Sequence, residues 1–298
     1  MPREFVQNEE VKKNVDLPVA PAPDNDREGD VGGLTIEEIR DPNRISVTIS
    51  DPNCPVVIFF GARTSGKTMT LVRITRYLRA KGYRVNPDQI FRSGDSYKKM
   101  CKDFDKVVLS DNAADGTNLI AFMLVTVRDG NGRAICQFLE APGEHYFDPD
   151  NIRKPFPPYI FNVMNMCRRI TWCFIMERNW LDAQTRNNYA QKMIDMLNQI
   201  PTSNKIIFMC HKVDLSPELY KNGHPIASQF RKEINLQYPG VFDRFKNPFP
   251  ISLIEPYRFK FVTFSAGAFW NTASGVVSYQ PSADFYPKEL WKTINSCL

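Results

Sequence analysis

One octapeptide stands out for its chemistry: Gly61-Ala62-Arg63-Thr64-Ser65-Gly66-Lys67-Thr68, a G-x-x-x-x-G-K-[ST] pattern. Its glycines let the backbone wrap around an anion, so that a nest of N–H groups meets phosphate oxygens. The apolar run Val56–Phe60 precedes it and the amphipathic stretch Thr68–Lys81 follows it. A strand therefore enters the loop, and a helix leaves it with its positive end towards the same phosphates. Arg63, Thr64 and Ser65 form the body of the loop. Lys67 is placed to reach the β- and γ-phosphates, and the Thr68 hydroxyl to ligate Mg²⁺. Such a loop takes nucleoside triphosphates but does not by itself choose between ATP and GTP.

Three further segments each follow an apolar run directly. They are Glu140-Ala141-Pro142-Gly143-Glu144-His145, then His211-Lys212-Val213-Asp214, then Ser265-Ala266-Gly267. In order and spacing they resemble the D-x-x-G, N-K-x-D and S-A-[KLG] elements of the GTPases of the translation-factor-related class, which includes the Ras, Arf and Rag branches. The resemblance spans roughly residues 55–298. It implies a three-layer α/β G domain of the P-loop NTPase type, with GTP and GDP as ligands and Mg²⁺ as cofactor. It further implies slow or partner-stimulated hydrolysis of GTP to GDP.

The chemistry of these residues suits guanine. The Asp214 carboxylate offers two acceptors to the N1–H and exocyclic amine of guanine, a donor pair that adenine lacks. The stem of Lys212 is able to lie over the base plane. The N–H of Ala266, beside Ser265, is placed to donate to guanine O6. A site of this kind discriminates strongly, because the wrong base leaves buried polar groups unpaired. Thr117 lies 23 residues before Glu140, which resembles the spacing from the switch-one threonine to the D-x-x-G acid. The resemblance thus implies Mg²⁺ held by Thr68, Thr117 and Glu140. The γ-phosphate is then contacted by Thr117 and by the Gly143 N–H.

Several positions depart from the pattern. Glu140 stands where the class has Asp, one methylene longer. Glu144 occupies the place of a water-orienting Gln or His, and His145 comes one residue late. His211 replaces the usual Asn, as in the Rag branch. The catalytic candidates are therefore Lys67, Glu144 and His145, with Arg63 as a cationic helper or a solvent-facing side chain. An ATP-using P-loop NTPase and a degenerate nucleotide-binding scaffold without turnover remain as alternatives.

The elements that position these residues are legible as alternating strands and helices. Strands are predicted at Ile45–Ile49, Val56–Phe60, Leu119–Val127, Ala134–Leu139, Ile170–Met176, Lys205–Cys210 and Phe259–Phe264. Helices are predicted over Leu34–Arg40, Thr68–Lys81, near Tyr97–Phe104, from Asp182 as N-cap to about Ile200, and over Pro225–Gln237 and Lys288–Cys297. The alternation predicts a mostly parallel sheet with helices on both faces, ligands meeting the carboxyl ends of its strands. Residues 1–50 are expected to form an acidic, partly disordered arm, and residues 51–298 the G domain. Within it lie a long switch-one segment, 83–116, and an extended region, 215–258, rich in aromatic residues and prolines.

Composition agrees with a globular chain, at 43% hydrophobic and 24% charged residues. The longest largely apolar run, Leu119–Val127, falls far short of the ~20 residues of a membrane span. Neither end carries a lipidation signal, so no membrane anchor is expected. The seven cysteines include no C-x-x-C pair, which points to reduced thiols and a cytoplasmic location. The three histidines lack metal-ligand spacing. Net charge is +5, but residues 1–53 carry −6 and the remainder +11. A basic body suits an anionic ligand, and equally nucleic acid or an acidic membrane face. No nucleic-acid module accompanies it, so none is expected as a partner. A protein effector or regulator is expected instead, with a paired G domain held open by the resemblance.

Overall fold

In a computed structural model of the chain, the residues described are 33–109, 122–178, 180, 182–271 and 277–298. In chain order the helices are α1 (Ile36–Arg40), α2 (Lys67–Ala80), α3 (Asp95–Leu109), α4 (Pro158–Met166), α5 (Ala183–Gln199), α6 (Ala227–Gln237) and α7 (Phe285–Asn295). The strands are β1 (Val56–Phe60), β2 (Arg84–Pro87), β3 (Met123–Arg128), β4 (Ala134–Glu140), β5 (Ile170–Glu177), β6 (Lys205–His211), β7 (Tyr220–Lys221), β8 (His224–Pro225), β9 (Lys260–Thr263), β10 (Gly267–Asn271) and β11 (Val277–Pro281).

Every residue of β1 is buried, because it is the central strand and both its faces are covered. It pairs in parallel with β4 on one side and β5 on the other. The sheet has seven strands in the order β2-β3-β4-β1-β5-β6-β9. β5, β6 and β9 continue in parallel, while β2 and β3 pair antiparallel at the other side.

Adjacent residues of a strand face opposite sides, and β1 shows what covers each. Phe59 meets Phe138, which in turn meets Trp291 of α7. Phe60 meets Tyr146, Phe156 and Tyr189 of α5. Helices therefore lie on both faces. Asp182 caps α5 by accepting from the Thr185 N–H, as its sequence signalled. Aromatic residues of the 215–258 region and Phe259 just beyond it close the β6 side, where Phe242, Phe245 and Phe259 all pack on Phe208.

Some expectations need correction. Ile45–Ile49 forms no strand; it runs extended, tied by the Thr48 N–H to the Phe91 carbonyl at 2.9 Å. Its β-branched residues serve burial instead, Ile45 and Ile49 being in the core. Of the expected arm, residues 33–50 pack onto the body: Leu34 is buried, and Thr35 and Glu38 form a capping box at α1. The first residues of the expected strand Leu119–Val127 lie outside the described residues, as do residues 1–32. α4, β2 and the hairpins β7–β8 and β10–β11 had no clear sequence signal. The cysteines are free, six buried and Cys297 half-buried. No described helix is long and apolar enough to cross a membrane.

The packed segment is held by a buried ion pair, Arg92 to Glu38, whose side chains are 5% and 12% exposed. Arg92 also lies over the Phe122 ring at 5.0 Å. Glu38→Ala leaves the guanidinium buried without its carboxylate, with an expected loss of about 3 kcal/mol. That reads as a fall of roughly 6–12 °C in melting temperature. Adding Arg92→Met is expected to recover part of the loss, since no unpaired charge then remains. Unchanged melting of Glu38→Ala would show that this pair does not support the body.

Candidate functional site

The loops that follow β1, β4, β6 and β9 meet at one end of the sheet. The first contains the octapeptide. Thr64 and Gly66 take left-handed backbone, at φ 62° and 89°, and such alternation turns successive N–H groups inward. The Lys67 ammonium is buried and donates to the carbonyls of Gly61 and Ala62, both at 3.0 Å. Burial lowers its pKa; Glu140, Glu144 and Glu177 oppose that shift. Ser65 is buried, whereas Arg63 and Thr64 are exposed.

Glu140 ends β4, almost fully buried. Its Oε1 accepts from the Thr68 hydroxyl at 2.9 Å. Its Oε2 is buried with no partner. Burial raises this carboxyl above the ordinary range, with Lys67 and the Thr68 bond opposing. Glu140 thereby links the end of β4 to the first turn of α2. The next loop packs backbone to backbone on the octapeptide: a Cβ on Gly143 would strike the Arg63 amide nitrogen.

Gly143–His145 is a single 3₁₀ turn, which sends neighbouring side chains in different directions. Glu144 is exposed, and its field reaches Lys67. His145, expected as a catalytic candidate, is instead directed into the core. Its Nδ1 shares a hydrogen bond with the Tyr159 hydroxyl at 3.0 Å, and its ring meets Phe122 edge-on. Burial drives its imidazole down to about 3, with Lys154, Lys67 and Arg92 adding to the shift.

At the end of β6, His211 is buried against Gly66, where a Cβ would lie 2.6 Å from its Cε1. Neither ring nitrogen has a hydrogen-bond partner. Burial, then Lys212, lowers its pKa to about 3. Lys212 takes left-handed backbone and pairs with Glu177 at 2.8 Å. Asp214 is exposed, with Tyr220 and Tyr286 within its field. The Val213 N–H bonds the Phe264 carbonyl at 3.4 Å, joining this loop to the one after β9.

There Ser265 and Ala266 are buried, and their peptides are pinned. The Ser265 carbonyl accepts from the Ser282 hydroxyl at 2.6 Å. The Ala266 carbonyl accepts from the Tyr279 hydroxyl at 2.7 Å and the Ser282 N–H at 3.0 Å. Arg73 of α2 then holds Ser282 and Asp284, each at 2.7 Å. Thr117 lies outside the described residues. The remaining candidates, apart from the inward His145, lie in these loops or in the strand and helix ends that border them.

Sequence reasoning missed Glu177. It ends β5 in register with His211, and the rule that ligands meet strand ends was the signal available. It also missed Arg73, whose partners lie more than two hundred positions along the chain.

No protein-family model matches this chain, and no curated protein matches it. Among solved structures it is similar to the signal recognition particle receptor SRb-GTP/SRX complex from Chaetomium thermophilum, at 12% identity over 83% of this chain and 100% of that one, TM-score 0.39. It is similar to the mammalian signal recognition particle receptor at 13% identity, over 82% and 100%, TM-score 0.38. It is also similar to the Saccharomyces cerevisiae Ski7 GTPase-like domain bound to GDP and inorganic phosphate. There the identity is 14%, over 72% of this chain and 43% of that one, TM-score 0.34.

The two buried imidazoles set an acid limit. Their folded pKa values lie below the unfolded value of 6.5, so their stabilisation is complete above that pH. It is lost as pH falls towards 3, at about 2 kcal/mol per histidine by pH 5. Glu140 and Glu177 act in the opposite sense, since their raised pKa values favour the folded state at low pH. Removing one imidazole therefore isolates its share of the pH dependence, read by urea unfolding at about pH 5 and about pH 7. His145→Phe and His211→Asn are each expected to raise stability at about pH 5 relative to about pH 7, compared with the parent. Equal pH dependence in the parent and both variants would mean that neither ring is held neutral.

Proposed function

We propose that this chain is a guanine-nucleotide-binding switch that hydrolyses GTP to GDP slowly, or at speed only when a protein partner completes the site. The observation that carries this reading is the convergence of four strand-end loops, each with one part of the required chemistry. The octapeptide, followed by the N-terminus of α2, offers backbone donors and Lys67 to a polyphosphate. The loop of Lys212 and Asp214 and the pinned Ser265-Ala266 peptides supply a base-reading edge. Asp214 accepts from the N1–H and amine of guanine, and the Ala266 N–H donates to its O6.

The Thr68 hydroxyl and the unpartnered Glu140 oxygen form an all-oxygen donor pair suited to Mg²⁺, with Thr117 as the further ligand. The metal would neutralise charge on the phosphates. Gly143, fixed against Arg63, is placed to sense the terminal phosphate. Its loop is the natural element to rearrange when that phosphate leaves.

The direction of His145 bears on turnover. With this imidazole bonded to Tyr159, Glu144 is the remaining side chain on the loop able to act on an attacking water. As an anion near phosphate it is poorly suited without a neighbouring positive charge. An arginine from a partner would supply one. The same observation favours a second reading, a nucleotide-binding scaffold without turnover. In either case the output is a protein contact in the cytoplasm through residues 83–116, where Ile90 and Leu109 stand exposed.

Titration of nucleotide-free protein with fluorescent GTP, GDP and ATP analogues in Mg²⁺ tests the reading. GTP and GDP are expected to bind at least about tenfold more tightly than ATP, and Asp214→Asn to remove that preference. Lys67→Ala is expected to weaken all three. ATP binding as tight as GTP, indifferent to Asp214→Asn, would overturn guanine specificity. Single-turnover hydrolysis then separates switch from scaffold.

A further inference from the structure

Residues 247–256 form a closed knob. At its stem Lys246 bridges Tyr257 in antiparallel fashion. The Asn247 N–H bonds the Pro256 carbonyl at 3.0 Å, and the Arg258 N–H bonds the Phe245 carbonyl at 2.8 Å. The knob precedes β9, which runs parallel to β6, β5 and β1. It therefore lies at the opposite end of the sheet from the phosphate loop, which follows β1.

The tip is apolar and uncovered. Phe249 is 79% exposed, Leu253 75%, Ile254 93% and Ile251 54%. Phe242, Phe245 and Phe259 of the same region are buried on β6, so covering the sheet does not account for these four. Apolar side chains concentrated on one protrusion mark a site of contact.

Two features identify what is contacted. The first is the backbone. The N–H groups of Ser252, Leu253, Ile254 and Glu255 donate within the knob, to Pro248, Pro250 and twice to Ile251, at 2.9–3.1 Å. Pro248, Pro250 and Pro256 have no N–H, and the Asn247 side-chain amide bonds the Glu255 carbonyl at 2.6 Å. Few backbone donors are left for water to hold, which is the condition for entering a hydrocarbon phase. The second is charge. Lys246, Arg258 and Lys260 are exposed at the base, and Arg244 lies over the Phe245 ring. Arg231 of α6 lies over the Tyr257 ring at the stem, with Lys232 next to it in the chain. The acids nearby are Asp243, paired with Lys246, Glu255, and Glu233, beside Arg178. Positive charge is in excess.

We propose that the knob inserts into the interfacial layer of a membrane bearing anionic lipids. Phe249, Ile251, Leu253 and Ile254 enter the acyl boundary, and the basic collar meets the headgroups. Association is peripheral and reversible, and it leaves the phosphate loop at the far end of the sheet. The proposal is independent of the nucleotide reading.

The full chain is sedimented with phosphatidylcholine vesicles, with and without phosphatidylserine. Binding is expected on the anionic vesicles, at least about tenfold weaker on phosphatidylcholine alone and weakened by salt. Phe249→Ser with Ile254→Ser is expected to lower binding by about tenfold or more, with melting temperature and nucleotide affinity unchanged. Arg258→Glu with Lys260→Glu is expected to remove the preference for phosphatidylserine. Leu253→Trp is expected to shift its emission to the blue on the anionic vesicles. Absence of parent binding to anionic vesicles overturns the proposal, as does unaltered binding by the tip variant. A dimer of the parent chain that the tip variant breaks, without vesicle binding, assigns the knob to a second copy instead.

Discussion

The ring of His211 rests against the backbone of Gly66 at a separation that no Cβ could share. This contact and the matching approach of Gly143 to Arg63 bring the ends of β1, β4 and β6 to one point. The rest of the site follows from that closeness. Lys67 turns inward because the loop around it is closed, and its ammonium finds the carbonyls of Gly61 and Ala62. Glu140 reaches Thr68 because β4 is the direct neighbour of β1. A side chain at either glycine would push the loops apart and open the interior to water.

Closeness of this degree must be balanced electrically. Lys67 and Glu140 are buried together, and Glu177, itself raised by burial, acts on both Lys67 and Lys212. Charges of opposite sign thus alternate across four neighbouring strand ends, those of β4, β1, β5 and β6. Such an interior is close to neutral as it stands. On the proposed function, a polyphosphate entering it needs a cation in company, and the unsatisfied oxygen of Glu140 is an acceptor available to one.

The sequence made the framework legible wherever a single local rule governed the result. Val56–Phe60 and Lys205–Cys210 read as strands because both faces are covered and apolar residues run almost without interruption. Asp182 announced the start of α5 through its capping oxygen. The site loops were legible because they follow those strands directly. The direction of His145 was not, since a 3₁₀ turn gives neighbours opposite fates and the decision rests with Tyr159. Ile45–Ile49 carried strand propensity but pairs with no strand. The packing of residues 33–50 depended on Arg92, more than fifty positions away.

The grip of Arg73 on Ser282 and Asp284 has a geometric consequence. Arg73 belongs to the helix that begins at the octapeptide loop, and Ser282 holds the peptides of Ser265 and Ala266. The two loops are therefore tied together through Arg73 and Ser282, as the jaws of one calliper are tied by its frame. A calliper measures length. On the proposed function, a nucleotide is selected by whether its base and phosphate tail reach both jaws at once, before either end is read chemically.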